Sequence, residues 1–190
     1  MLHHIKFKKD YRCFKQGDVF DFRPGINLLV GDQGSGKSTL IQLLRSSAED
    51  SATVAELVSI KADPIPMLSK DFEKENPRMI QYFGQSGASE MFEVQSRFMS
   101  HGQTSMIFIN ALKQVKGPTF LLVDEPDTAL SPRSVLVLAG LFRHVVDKGG
   151  QVVAAVHNPL LIESVPEVFS LEHRIWIASL EFMISQREAR

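Results

Sequence analysis

The chain has 190 residues, 44% of them hydrophobic, and a formal net charge of -1. That length suits one domain with a real core, and the balanced charge excludes a global positive field that would draw the chain onto nucleic acid. A single cysteine, Cys13, excludes an internal disulfide and fits a reducing, cytoplasmic setting.

Residues 1–6 lack an apolar h-region, so no secretory signal is expected. No apolar run reaches the ~18–20 residues of a membrane helix, so no direct membrane insertion is expected. If the protein works at a membrane, another chain supplies the spans.

Ile5 and Phe7 alternate with lysines, and Val19, Phe20 and Phe22 follow a Gly17-Asp18 turn signal. Both read as short strands. Pro24-Gly25 is a second turn, after which residues 26–30 read as a buried strand. Residues 31–39 break the pattern, and 40–45 read as helix. The stretch from Ser46 to Pro77 is polar and carries Pro64, Pro66 and Pro77, so a loop with one or two short helices is expected there. Met79-Ile80 reads as a short strand. Residues 98–115 hold a glycine break followed by a helix, and 120–123 form another buried strand.

The next helix is well signalled. Ser131 can cap its N-terminus, and Pro132 occupies the first position, where a missing N–H costs nothing. Val135, Leu138, Ala139, Phe142, Val145 and Val146 make an apolar stripe at three-and-four spacing, which Gly149-Gly150 ends. Residues 151–156 are then a strand. Strand–helix–strand order predicts an α/β fold with a parallel sheet flanked by helices. There is no internal repeat and no heptad run.

Gly31-Asp32-Gln33-Gly34-Ser35-Gly36-Lys37-Ser38 fits the G-x-x-x-x-G-K-[ST] P-loop, with a strand before it and a helix after it. Glycines let the backbone wrap around phosphate with N–H groups pointing inward, and the helix that follows presents its positive end. Lys37 is expected to pair with the β- and γ-phosphates of ATP and Ser38 to bind Mg²⁺, with Asp32, Gln33, Gly34, Ser35, Gly36 and Thr39 expected to contact the nucleotide beside them. In Phe120-Leu121-Leu122-Val123-Asp124-Glu125-Pro126 an apolar strand ends in two carboxylates, at the crevice where sheet strands end. Asp124 is expected to hold Mg²⁺, and Glu125 to act as general base on the attacking water. His3 and His4 have no partners at metal-ligand spacing.

Residues 124–132, Asp-Glu-Pro-Asp-Thr-Ala-Leu-Ser-Pro, resemble the Walker B motif and D-loop of the ABC ATPases. Ser100-His101-Gly102-Gln103 resembles their signature, usually S-G-G-Q, with His101 in place of one glycine. His157-Asn158-Pro159 resembles their H-switch. The resemblance covers residues 1 to about 160, with four motifs in order. It implies a single ABC-type ATPase domain over 1–190, with N-terminal antiparallel strands, a mixed central sheet, and a short helical signature subdomain over about 46–115. It implies that His157 senses the γ-phosphate. It also implies that Ser100, Gly102 and Gln103 contact the nucleotide held by a second copy, so that ATP joins two protomers and hydrolysis releases them. The resemblance further implies a Q-loop glutamine at the metal, for which Gln81, after Met79-Ile80, is the expected residue and Gln85 the competitor.

Tyr11-Arg12-Cys13-Phe14, followed by Pro24-Gly25-Ile26-Asn27, is similar to the RecF and structural-maintenance-of-chromosomes branch, where the arginine reaches the nucleotide phosphates. Tyr11 also admits a second reading, as the stacking aromatic of transporter ATPases. About sixty positions separate Lys37 from Ser100, too few for a long coiled coil and short for a transporter's helical subdomain. The expected function is therefore ATP hydrolysis driving dimerisation in a DNA- or protein-directed process such as repair, replication or phage defence. The alternative is the nucleotide-binding subunit of an ABC membrane transporter. A protein partner is expected. DNA is a further candidate through Lys6, Lys8, Lys9, Arg12 and Lys15, which read equally as a solvated face.

Overall fold

The computed structural model describes residues 1–48, 52–71, 81–82, 108–128 and 130–188. Its strands are β1 (Leu2–Phe7), β2 (Val19–Asp21), β3 (Ile26–Val30), β4 (Val58–Ala62), β5 (Met67–Asp71), β6 (Gln81–Tyr82), β7 (Phe120–Asp124), β8 (Gln151–Ala155), β9 (Glu167–Ser170) and β10 (Ile175–Ala178). The helices are α1 (Lys37–Ala48), α2 (Ala52–Leu57), α3 (Pro132–Asp147), α4 (Pro159–Ile162) and α5 (Ser179–Glu188), with a further helical stretch over 108–113.

Seven strands form one sheet in the order β10-β9-β3-β8-β7-β5-β6. The five inner strands are parallel, and β10 and β6 pair antiparallel at the two edges. β2-β1-β4 make a separate antiparallel sheet. This is the α/β architecture expected, with helices on both faces of a mostly parallel sheet.

Alternation along the strands divides the core in two. Leu121 and Val123 of β7 face a cluster with Leu28, Val30 and the buried stripe of α3. Phe120 and Leu122 face the other way, into a cluster with Leu40, Ile41, Leu43 and Leu44 of α1 and the aromatic residues of the small sheet. The same period of two puts the side chain of Asp124 on the α1 face, buried to 1% exposure. The alternation of the strand backbone thus turns the Asp124 carboxylate toward the face that α1 covers.

The aromatic residues form a continuous wedge. Phe7 stacks on Phe14 at 4.5 Å, Phe14 meets Phe20 edge-on at 5.3 Å, and Phe20 meets Phe169 at 5.9 Å. Two buried amides tie distant parts of the chain together. Gln151 accepts from the Leu2 N–H at 2.7 Å and donates to the carbonyls of Leu2 and Arg23, joining the small sheet to β8. Asn27 accepts from the Arg23 N–H and donates to the carbonyls of Arg23 and Val152, bracing the Pro24-Gly25 turn against β8.

The sequence expectation fails between Ser46 and Pro77. That stretch holds β4 and β5 besides α2, and β5 is an inner strand of the central sheet rather than loop or helical subdomain. Its Met-Leu-Ser-Lys-Asp sequence lacks an apolar run, because Ser69 and Lys70 are polar yet buried to 2% and 1% exposure. The helix after the P-loop also begins three residues earlier than expected, at Lys37. α3 matches its signals: Ser131 accepts from the Ser134 N–H, Pro132 sits in the first turn, and the helix stops at Asp147, ahead of Gly149 at φ +81°.

Candidate nucleotide site

β3 ends at Val30, and the chain turns at once through residues 31–36 into α1. Gly31, Gly34 and Gly36 have φ of +141°, +87° and +100°, conformations that side-chain-bearing residues rarely adopt. Gly36 is constrained twice. A Cβ there would lie 2.6 Å from Cys13 Sγ and 2.7 Å from Phe14 Cζ. The segment 11–14, closed by the Tyr11–Phe14 bridge, thus presses directly onto the P-loop.

A cavity of about 290 Å³ opens over this loop. Gln33, Gly34, Gly36, Lys37, Ser38 and Thr39 line one side, Arg12 and Cys13 a second, and Glu125 and His157 the third. Arg12 Nη1 donates to Thr39 Oγ1 at 2.9 Å, and its guanidinium lies 5.5 Å from the Tyr11 ring centroid. Buried Lys37 donates from Nζ to the carbonyls of Gly31 and Asp32 at 2.7 and 3.0 Å and lies 3.4 Å from Ser35 Oγ. Burial lowers its pKa below the ordinary 10.5, while Glu125, Asp124 and Asp32 act in the opposite sense and favour the ammonium.

Glu125 sits at φ +50°, an uncommon conformation for a residue with a long side chain. The turn carries its carboxylate to two neighbours: His157 Nε2 lies 3.3 Å from Oε1, and the Thr128 hydroxyl donates to Oε2 at 3.2 Å. A second cleft continues past Glu125 and His157, between Asp32 and Gln33 of the P-loop and Phe182, Met183 and Gln186 of α5.

The donor set fits ATP with Mg²⁺. A loop of backbone N–H groups at a helix start suits phosphates, and the Ser38 hydroxyl with the Asp124 carboxylate supplies hard oxygen ligands. Among the described residues no group of three or more His, Cys, Asp or Glu could hold a metal on its own. A cation bound by few protein ligands together with phosphate oxygens is the usual arrangement for Mg²⁺.

Of the residues singled out from sequence, the fold gathers Arg12, Gln33, Gly34, Gly36, Lys37, Ser38, Thr39, Glu125 and His157 around one cavity. Asp32 and Ser35 contact Lys37. Gln81 lies on β6 at the sheet edge, paired with Ser69 and two strands from β7. Ser100, His101, Gly102, Gln103 and Gln85 lie outside the described residues. Cys13, Asp127 and Thr128 stand inside the sequence motifs but carried no site role there. Cys13 and Thr128 reach the site only through contacts, and no periodicity marks them.

Residues 9–48 match the AAA domain family. The cytochrome c biogenesis ATP-binding export protein CcmA of Rhodopseudomonas palustris (strain HaA2) is 30% identical over 183 residues, covering 78% of this chain and 90% of that protein. This chain belongs to the ABC-type P-loop ATPases. As such it is an ATP hydrolase that uses ATP with Mg²⁺. Solved structures bear out the fold of this ABC-type ATPase. CbiO1 from Clostridium perfringens, part of the ABC transporter complex cbiONQ, has a TM-score of 0.57 at 15% identity, covering 100% of this chain and 93% of that one. UvrA2 from Deinococcus radiodurans has a TM-score of 0.61 at 14% identity, covering 88% of this chain and 35% of that one.

Proposed function

We propose that this ATPase is the ATP-binding subunit of an ABC transporter-type assembly, closing on a second copy around ATP and passing that closure to a transmembrane partner. The similarity to CcmA over nine-tenths of that protein carries the reading and favours it over a DNA-directed role. No described helix is long and apolar enough to cross a membrane, so in this reading the spans belong to another chain. Residues 1–190 form one ATPase domain, and the part of 46–115 that follows β5 supplies its signature region.

The site residues take the following roles. Backbone N–H groups of residues 32–38 cradle the phosphates, and Lys37 leaves the carbonyls of Gly31 and Asp32 for the β- and γ-phosphates. Ser38 and Asp124 hold Mg²⁺, with Gln81 or Gln85 reaching it from the Q-loop. Glu125 takes the proton of the attacking water, and His157 steadies the γ-phosphate. Ser100, Gly102 and Gln103 of the second copy complete the pocket.

A second reading rests on Arg12, which lines the cavity as the arginine of the RecF and chromosome-maintenance branch is expected to. It makes the work DNA- or protein-directed. The neighbouring cations lend it little support, since Lys8 bonds the Ala55 carbonyl, Lys9 pairs with Glu56 and Lys15 with Asp10. The two readings separate by comparing Mg-ATP turnover with duplex DNA and with detergent-solubilised host membranes, using Lys37→Ala as the inactive control. Co-purification of an integral membrane protein together with stimulated turnover supports the transporter reading. Stimulation by DNA alone overturns it.

A further inference from the structure

Glu125 and His157 follow neighbouring strands, β7 and β8, whose ends are paired by the Glu125 N–H donating to the Ala155 carbonyl at 3.0 Å. That pairing brings the two ends together, and a third residue fixes the backbone that carries His157. Asp127 is 8% exposed, and its Oδ2 accepts the backbone N–H of His157 at 2.9 Å and that of Asn158 at 2.5 Å. Asn158 in turn caps α4, its Oδ1 accepting from the Leu160 N–H at 3.0 Å. The carboxylate therefore fixes the backbone from the end of β8 to the start of α4. That segment carries the imidazole 3.3 Å from Glu125 Oε1.

Asp127 is an uneconomical way to stabilise the fold. Its Oδ1 is buried and has no hydrogen-bond partner among the described residues. A buried carboxylate with one unpartnered oxygen costs stability, and such a group calls for an explanation other than packing. Two N–H groups converging on one oxygen give that explanation: they hold a loop in one geometry.

We propose that Asp127 is a positioning residue for ATP hydrolysis, holding the backbone of residues 157–158 so that His157 stays against Glu125. The proposal rests on the reading of Glu125 and His157 as the groups that act at the γ-phosphate. Asp127 touches neither nucleotide nor metal in this account. It acts through His157. Its loss therefore lowers kcat and leaves the affinity for ATP, which the P-loop sets, almost unchanged.

The test compares Asp127→Ala with Asp127→Asn in the full chain. The amide oxygen of asparagine accepts both N–H groups as Oδ2 does, whereas alanine accepts neither. Asp127→Ala is expected to lower kcat by about 10–100-fold, the scale of a displaced catalytic group, with KM for ATP within about twofold. Asp127→Asn is expected to stay within about threefold of the wild type. A second readout needs no turnover. In the ligand-free protein, hydrogen exchange at the His157 and Asn158 amides should accelerate in Asp127→Ala but not in Asp127→Asn. The His157 ring signal should respond to Glu125→Gln in the wild-type background and lose that response in Asp127→Ala. Should the alanine variant fail to fold, Asp127→Ser, whose hydroxyl can hold one N–H at most, makes the same comparison. Unchanged amide exchange and an unchanged ring response overturn the proposal, as does a folded Asp127→Ala enzyme with wild-type kcat. A wild-type protein without Mg-ATPase activity removes the reading of Glu125 instead, and the exchange and ring measurements still decide the role of Asp127.

Discussion

Arg12 reaches across 27 positions of sequence to donate from Nη1 to Thr39 Oγ1 at 2.9 Å, joining the N-terminal layer to the first turn of α1. The guanidinium is exposed and lines the cavity over the P-loop, so it stands as a second cation beside Lys37. Hydrogen bonds from a charged donor to phosphate are among the strong ones, and they weaken with salt where solvent reaches them.

Arg12→Ala is therefore expected to weaken ATP binding by about tenfold, the low end of a charged hydrogen bond at ~1.5–3 kcal/mol. The melting temperature should hardly move, because Phe14 and not Arg12 fills the core. Calorimetric titration at low and high salt checks this, and equal affinities in both proteins make Arg12 a surface cation.

Glu125→Gln keeps the shape of the site and removes the base. Hydrolysis should fall by about 10²–10⁴-fold while Mg-ATP still binds through Lys37, Ser38 and Asp124. ATP should then hold a dimer that the wild type forms only briefly, and a second change, Ser100→Arg, should abolish it. Light scattering after size exclusion reads both, and a monomeric Glu125→Gln protein at saturating ATP counts against contact between copies.

Thr128 belongs to the same carboxylate, since its hydroxyl donates to Glu125 Oε2 at 3.2 Å. Thr128→Val should lower kcat by about 2–10-fold, within the net value of a single hydrogen bond of ~0.5–1.5 kcal/mol, and Thr128→Ser should restore it. Steady-state kinetics of the pair decides, and equal loss in both variants points to packing of the methyl group instead.

Gly36→Ala should be harmful out of proportion to one methyl group. The new Cβ would meet Cys13 Sγ at 2.6 Å and Phe14 Cζ at 2.7 Å, at a φ of +100° that alanine resists. A loss of roughly 1–3 kcal/mol and a displaced 11–14 segment are expected. Chemical denaturation measures the first. Wild-type stability together with wild-type ATP affinity would show that the segment yields freely.

Asp10 gives a pH dependence of stability. The Gln16 backbone N–H, at 2.8 Å, and then the Lys15 ammonium hold its carboxyl below the ordinary 3.8. A lowered folded-state pKa means that the unfolded chain binds the proton more readily, so the stabilisation is present above 3.8 and disappears as pH falls through the folded value. Asp10→Asn should therefore melt lower than the wild type at pH 6, and the gap should close below pH 3.8. Parallel melting curves across that range check the sign.

The P-loop and the Asp124-Glu125 strand end were legible in the sequence because their physics is local. Left-handed backbone positions demand glycine, a helix start follows at once, and an unbroken apolar run ends in two carboxylates. α3 was legible for the same reason, its cap, its proline and its stripe all agreeing. β5 was not, because Ser69 and Lys70 sit in a buried inner strand without the apolar signature of one. Hydrophobic pattern reports burial in an apolar surrounding and fails where the core beside a site is polar.

Tertiary structure alone decided which of these residues meet. Arg12 with Thr39, Gln151 with Leu2, Asn27 with Val152 and Asp127 with His157 are separated by 27, 149, 125 and 30 positions. Each is a polar contact whose partner depends on the packing of the two sheets and on the strand order, and no local propensity encodes either. Sequence determined that phosphate and magnesium chemistry is present. The fold determined which side chains meet Glu125 and His157, because only the pairing of β7 with β8 in the sheet brings their ends side by side.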